Sequence, residues 1–217
     1  MTGTGEDGRA WGWGGIVTAL AGVGVIVASG PLWPFEEADL ADNAAMVARF
    51  DDTTMWWAFA TQVAFTLAAF GSVLFGAGLK RRLERQCPAG SLVPMTAFLG
   101  MLLTGALSLA GCGMGTEAFH QIRNRAASDP DTVMSSVGQL GTYGWLWSGL
   151  LLTAGALAVA AFRQGAVARW IGVVSVAFGL LLAVTQLTPF QYLALMVGVP
   201  YLLVLGAAFA LGRRAPA

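Results

Sequence analysis

The chain has 217 residues, of which 56% are hydrophobic and only 11% are charged, whereas about 25% of residues are charged in a typical soluble domain. Too little polar surface is available to cover a soluble fold of this size, so the composition predicts a protein that lies in lipid. The formal net charge is zero. A chain without a basic stripe cannot neutralise phosphates, which excludes nucleic acid as a partner.

Six apolar runs reach the length of about 20 residues that crosses a hydrocarbon core of about 30 Å. They cover residues 13–32, 54–79, 92–116, 141–162, 168–187 and 190–211, and none holds a charged side chain in its interior. The first run exceeds the apolar core of about 7–15 residues in a signal peptide, so we expect a mature helix there. The sequence thus predicts an all-α bundle of six transmembrane helices at 13–211, between tails at 1–12 and 212–217.

Basic residues predict the orientation, because they collect on the cytoplasmic side of membrane proteins. If both termini are inside, nine of the twelve basic residues are cytoplasmic: Arg9, Lys80, Arg81, Arg82, Arg85, Arg163, Arg169, Arg213 and Arg214. Nine of the twelve acidic residues then lie outside: Glu36, Glu37, Asp39, Asp42, Asp51, Asp52, Glu117, Asp129 and Asp131. We therefore predict a multi-pass protein of the cell membrane with both termini in the cytoplasm.

Two outer loops, at 33–53 and 117–140, are longer than the inner ones, and long loops are frequent sites of function. Asp129, Pro130 and Asp131 predict a helix start that leads towards the fourth span. Asp51 and Asp52 predict the equivalent start of the second span.

Small and polar residues inside the spans predict helix–helix contacts. Gly111 and Gly115 have the four-residue spacing with which small residues let two helices approach closely. Gln62 lies about 12 Å into the second span, at 1.5 Å per residue. Its amide needs a partner at that depth, and either another helix or a ligand can provide one.

The outer end of the third span holds the side chains most suited to chemistry. If the helix continues past the membrane, Cys112, Thr116 and His120 share one face, and Glu117 lies one turn before His120. A carboxyl in a dry aromatic mouth favours its protonated form and can act as an acid, so Glu117 and His120 are candidates for proton transfer. The predicted walls of that mouth, which are also the candidate binding residues together with Gln62, are Trp56, Trp57, Phe119, Tyr143 and Trp147. The alternative is that both polar residues are solvated or paired with Arg123.

A metal site is not predicted. The Glu-x-x-His pattern at Glu117 and His120 occurs in di-metal helix bundles, but those bundles need two such pairs, and this chain has one histidine. Cys87 and Cys112 fall on opposite sides of the bilayer or deep within it, and no zinc or haem spacing is present. We predict no cofactor.

Glu36 and Glu37 begin an acidic segment of the first outer loop that also contains Asp39 and Asp42. Such a run is typical of a solvated face. Two other readings stay open: pairing with Arg123 and Arg125 of the second loop, or a site for a cation or a substrate, in which Glu36 and Glu37 are candidate catalytic acids.

Two resemblances follow from short motifs. The stretches Leu79-Lys80-Arg81-Arg82 and Gly144-Trp145-Leu146-Trp147, with the short turn between Arg163 and Arg169, resemble a group of six-helix bacterial integral membrane proteins classed as a domain of unknown function. The segment Pro34-Phe35-Glu36-Glu37 is similar to the Pro-x-Glu-Glu motif of membrane-bound carotenoid and terpenoid cyclases, whose acidic residues face an aromatic cavity.

The leading functional hypothesis is a membrane protein that binds a hydrophobic small molecule, a lipid or another membrane protein at an outward-facing aromatic mouth. The alternative is an intramembrane enzyme, an acid-initiated cyclase or isomerase that acts on an isoprenoid or lipid. Coupled transport is disfavoured. Transporters place ionisable residues or broken helices at mid-membrane, whereas the predicted spans have no charged side chain at mid-membrane.

Overall fold

The computed structural model describes residues 10–33 and 42–212, apart from the side chains of Tyr143, Trp145 and Leu146. Every regular element within those ranges is helical. The α-helices, numbered in chain order, are α1 (Gly12–Ser29), α2 (Asn43–Ala48), α3 (Asp52–Glu84), α4 (Val93–Arg123), α5 (Pro130–Leu140), α6 (Leu150–Phe162), α7 (Arg169–Leu187) and α8 (Ala194–Leu211). Shorter 3₁₀ helices occupy Gly30–Leu32, Gly141–Gly149 and Gln191–Leu193.

Five helical segments of the described chain are long and apolar enough to cross a membrane, namely Gly12–Leu32, Asp52–Glu84, Val93–Arg123, Arg169–Leu187 and Gln191–Leu211. They coincide with five of the six predicted spans and mark the chain as a multi-pass integral membrane protein. The remaining predicted span is built differently, because nine residues of 3₁₀ helix precede the thirteen-residue α6.

Apolar side chains cover the outside of this bundle. Leu74, Val173 and Leu180 are each about 60% exposed, and many other large apolar residues on the five long helices are similarly open. Exposed apolar surface of this extent is typical of a face that meets another apolar phase. The arrangement is therefore consistent with a lipid bilayer around the helices.

Six of the helices form a closed ring in which each packs against two neighbours, namely α1, α3, α4, α6, α7 and α8. Helix α1 contacts α3 and α8, α4 contacts α3 and α6, and α7 contacts α6 and α8. The 3₁₀ helix Gly141–Gly149 packs against α4 and α8.

Glycines meet at three of the helix contacts in this ring. A Cβ atom added to Gly14 of α1 would lie 2.9 Å from the carbonyl oxygen of Gly71 in α3, and one added to Gly15 would lie 3.0 Å from Cα of Gly206 in α8. A Cβ atom added to Gly100 of α4 would lie 2.7 Å from the carbonyl oxygen of Gly149. Only glycine permits backbones to approach so closely, which is the packing favoured in lipid.

The predicted contact through Gly111 and Gly115 is confirmed, and the partner is α3. A Cβ atom on Gly111 would lie 2.9 Å from the ring of Phe65, and one on Gly115 would lie 3.2 Å from the backbone of Gln62. The two glycines thus fit α4 against α3 over its outer half.

Both predicted helix starts at the outer end are confirmed. The Asp129 carboxylate accepts a hydrogen bond from the backbone N–H of Thr132 at 3.0 Å, and that of Asp51 accepts one from the N–H of Thr54 at 2.8 Å. The bond from the Thr54 backbone lowers the pKa of Asp51, because it stabilises the charged carboxylate. The same hydrogen bond thus caps α3 and stabilises the charged form of the capping carboxylate.

Close packing at Gly100 generates a stability prediction. We expect Gly100→Ala to lower the free energy of unfolding by about 1–3 kcal/mol, because the new methyl group would overlap the backbone of Gly149. Gly113→Ala, on the same helix, adds the same group where nothing lies within 4 Å, and we expect equal or slightly higher stability. Thermal unfolding in detergent micelles measures both; equal losses would contradict the packing described here.

Candidate functional site

The end of the bundle where α3 begins and α4 ends is called the outer end after its predicted orientation, and the described parts of both predicted outer loops meet there. Asn43 of α2 donates a hydrogen bond to the carboxylate of Asp131 in α5, at 2.8 Å from Nδ2 to Oδ1. Arg125 forms an ion pair with Asp52, with 3.5 Å between Nη2 and Oδ1. Asp52 is the first residue of α3 and is not one of the carboxylates from Glu36 to Asp42 that the sequence offers as partners, so that pairing stays a prediction. The Asp52 side chain is 85% exposed, so this pair adds little stability.

The candidate acids of the first outer loop, Glu36 and Glu37, lie outside the described residues. After Trp33 the described part of that loop resumes at Asp42, whose carboxylate accepts a hydrogen bond from the backbone of Ala45 at 3.0 Å. Asp42 is thus the N-cap of α2, and its carboxylate has a structural partner.

Helix α4 continues to Arg123, as the predicted alignment of Cys112, Thr116 and His120 requires. Thr116 donates its hydroxyl to the carbonyl oxygen of Cys112 at 3.0 Å. Thr66 of α3 donates its own hydroxyl to the Cys112 sulfur at 3.2 Å. The inner part of this face is therefore a helix–helix contact, and only its outer end at His120 is exposed.

Glu117 is exposed, and its Oε1 accepts a hydrogen bond from Nε2 of Gln121 at 2.8 Å. A catalytic acid of the predicted kind needs a carboxyl that is withdrawn from water. The described surroundings of Glu117 do not withdraw it. Across residues 10–33 and 42–212 the structure also shows no cluster of three or more His, Cys, Asp or Glu side chains suited to a metal ion.

Aromatic rings of α3 and α4 meet near the start of α3 and the end of α4. Trp56 and Phe59 pack edge to face with 5.8 Å between ring centroids, and Phe119 lies 6.3 Å from Trp56 and 6.0 Å from Phe59. His120 adds an edge contact to Phe119 at 5.3 Å. We call these four side chains the outer aromatic surface. Trp56 is 58% exposed and Phe59 is 40% exposed, so the surface is open.

Two other predicted binding residues belong to the helix packing. Trp57 is half-buried against the core, and Gln62 lies opposite Gly115 in the contact between α3 and α4. The interhelical hydrogen bond expected for the Gln62 amide stays a prediction. Phe59 was missed from the sequence, although its spacing of three residues from Trp56 places it on the same face of α3.

Trp147 is not a wall of an open mouth, and this part of the prediction is wrong. Its indole is fully buried, wedged between α1 and α8 where Gly22 and Gly198 leave room for it. Its Nε1 has no hydrogen-bond partner among the described residues. Tyr143 lies in the same 3₁₀ helix, but its side chain is outside the described part of the structure.

Comparisons of the chain with protein-family models, with curated proteins and with solved structures gave no match. The two resemblances inferred from short motifs therefore stay predictions.

The position of Trp147 predicts a large structural effect. We expect Trp147→Ala to lower the free energy of unfolding by about 3–5 kcal/mol, because it leaves a cavity inside the helix ring. Trp56→Ala removes the same side chain from an exposed site, and we expect a change of no more than about 0.5 kcal/mol. Thermal unfolding of the two purified variants measures both losses of stability. Similar losses for both would show that Trp147 does not fill the core.

Proposed function

We propose that residues 141–162 form a sixth crossing. At about 2.0 Å per residue the 3₁₀ helix Gly141–Gly149 rises about 18 Å, and at about 1.5 Å per residue α6 adds about 20 Å. Together they exceed the core thickness of about 30 Å. The hydroxyl of Thr153 in α6 donates to the carbonyl oxygen of Ala97 in α4 at 3.1 Å, which supports a helix that lies alongside α4.

A sixth crossing puts both termini on one side, and the charges favour the cytoplasm of a cell membrane for that side. Among the described residues, the end near Trp11 carries six basic side chains against one acidic residue, Glu84: Lys80, Arg81, Arg82, Arg85, Arg163 and Arg169. The guanidinium of Arg82 lies 4.9 Å from the ring centroid of Phe209 in α8, so the end of α3 and the end of α8 are together. Positive charge of this density is typical of a cytoplasmic face.

The function that the outer end supports best is the binding of a hydrophobic small molecule or lipid on the outer aromatic surface. The carrying observation is that the exposed rings of Trp56 and Phe59 and the partly buried ring of Phe119 form one contiguous aromatic group across α3 and α4. Aromatic rings supply a large apolar contact area at a small cost in conformational entropy. His120, which is in edge contact with Phe119, provides a polar group that can orient a hydroxyl or headgroup.

Photo-cross-linking tests this proposal with a photoreactive long-chain isoprenoid alcohol as the probe. We expect saturable adducts at Trp56, Phe59 or Phe119 in the protein purified in detergent. Trp56→Ala and Phe119→Ala should each reduce the cross-linked fraction at least about fivefold, because each removes a share of the contact area.

Trp13→Ala is the matched control, since Trp13 is 53% exposed at the opposite end of the bundle. The cross-linked fraction of this variant should equal that of the wild type. Labelling that rises linearly with probe concentration, or that falls equally in all three variants, would contradict a site on the outer aromatic surface. The enzyme alternative predicts in addition a rearranged alcohol in the extract, which Glu117→Gln would abolish.

A further inference from the structure

A second feature lies at the basic end of the bundle, where α4 and α6 diverge. A groove of about 480 Å³ opens there towards the outside of the bundle. Its apolar walls include Leu92 and Val93 from the start of α4, and Leu152, Gly155 and Val159 from α6. A volume of this size lies within the range of about 300–1,000 Å³ that is usual for small-molecule sites.

Gly155 of α6 lines the groove and adds no side chain to it. A Cβ atom added there would meet nothing within 4 Å, so the position is open space. Gly100 of α4 and Gly149 of the 3₁₀ helix, in contrast, are used for close helix contact. Gly155 makes no such contact, and its absent side chain leaves a depression between Leu152 and Val159.

The depth of the groove matches one leaflet of a bilayer. The residues of α6 that line the groove run from Leu151 to Val159 and rise about 12 Å, which is close to the half-thickness of about 15 Å of the hydrocarbon core. The inner end of the groove is therefore near mid-membrane, and its open end is at the headgroup level. An extended acyl chain of a single lipid follows the same path from the headgroup level to mid-membrane.

Polar groups are placed only at the headgroup end. Gln164 donates its amide to the hydroxyl oxygen of Ser91, at 2.9 Å from Nε2 to Oγ, and both residues line the groove. This bond ties the loop before α4 to the turn after α6. Arg163, which is exposed, precedes Gln164 in the chain.

Charge at this end favours an anionic headgroup. The turn after α6 contains Arg163 and is followed by Arg169, and neither has an acidic residue within six positions in the sequence. Basic residues near the membrane surface attract anionic lipids electrostatically. A zwitterionic lipid with the same acyl chains lacks this attraction.

From the groove, its polar rim and its charge, we propose that the cleft between α4 and α6 binds one anionic phospholipid. One acyl chain lies along Leu152, Gly155 and Val159, and the headgroup lies at Ser91, Gln164 and Arg163. The site is separate from the outer aromatic surface and does not depend on ligand binding there. Its assignment to the inner leaflet rests on the proposed orientation, whereas the binding itself does not.

Native mass spectrometry of the purified full chain tests the proposal, with phosphatidylglycerol and phosphatidylcholine of identical acyl chains as probes. We expect one phosphatidylglycerol to be retained at least about fivefold more than phosphatidylcholine. Gly155→Leu should remove most of that retention, because the new side chain fills the groove. Gly113→Leu adds the same side chain in open space on α4 and should leave retention unchanged.

Arg163→Gln separates the contribution of the lipid headgroup to binding from that of the acyl chain. We expect the preference for phosphatidylglycerol to fall at least about threefold, while Gly155→Leu reduces both lipids. Equal retention of the two lipids by the wild type, or unchanged retention by Gly155→Leu, would overturn the proposal.

A second measurement covers the case in which Gly155→Leu does not fold. A photoreactive phosphatidylglycerol with its reactive group midway along one acyl chain should cross-link the wild-type protein within residues 151–159. Cross-links spread evenly over the lipid-facing helices would also overturn the proposal.

Discussion

The need to satisfy the backbone in lipid governs the whole structure. A buried backbone N–H or C=O group without a partner costs several kcal/mol in hydrocarbon, so a chain this apolar must be helical throughout its spans. Lipid tails are as apolar as leucine, and the helices therefore cannot be held together by burial of apolar surface alone. Close contact provides the attraction instead, and the glycine pairs Gly14–Gly71, Gly15–Gly206 and Gly100–Gly149 permit it. Thr153 adds a hydrogen bond where α6 meets α4.

Because the helices pack closely around a filled core, the candidate functional sites lie at the ends of the bundle and on its lipid-facing surface. The core of the ring is filled by large side chains such as Trp147, Phe65 and Phe75, all fully buried. At the outer end, the α2–α5 pair and the capped helix starts position the aromatic group formed by Trp56, Phe59 and Phe119. At the basic end, Gly155 lines a groove and adds no side chain to it. Both candidate sites can thus be reached from the membrane without opening the ring.

Features that depend on local sequence were predictable, and those that depend on the packing partner were not. Apolar length gave the spans at 54–79 and 92–116, and the side chains of Asp51 and Asp129 gave the helix starts, because capping involves residues three apart. Trp147 was misplaced because tryptophan is common at the membrane interface, and the glycines that accommodate it, Gly22 and Gly198, lie on helices distant in sequence. The groove at Gly155 was missed for the same reason, since an absent contact leaves no local pattern.

We propose that the chain crosses the membrane six times with its basic end in the cytoplasm. Cysteine labelling in intact cells tests this topology most directly. Burial raises the pKa of the Cys87 thiol, which makes it a poor reporter, so Cys87→Ala and Cys112→Ala provide the background. Single changes at exposed sites, Ala45→Cys, Ala127→Cys, Gln86→Cys and Ala168→Cys, then report each end. A membrane-impermeant maleimide should label the first two in intact cells, and the last two only after permeabilisation. Labelling of Ala127→Cys and Ala168→Cys from the same side would contradict the sixth crossing, and labelling of Gln86→Cys in intact cells would contradict the orientation.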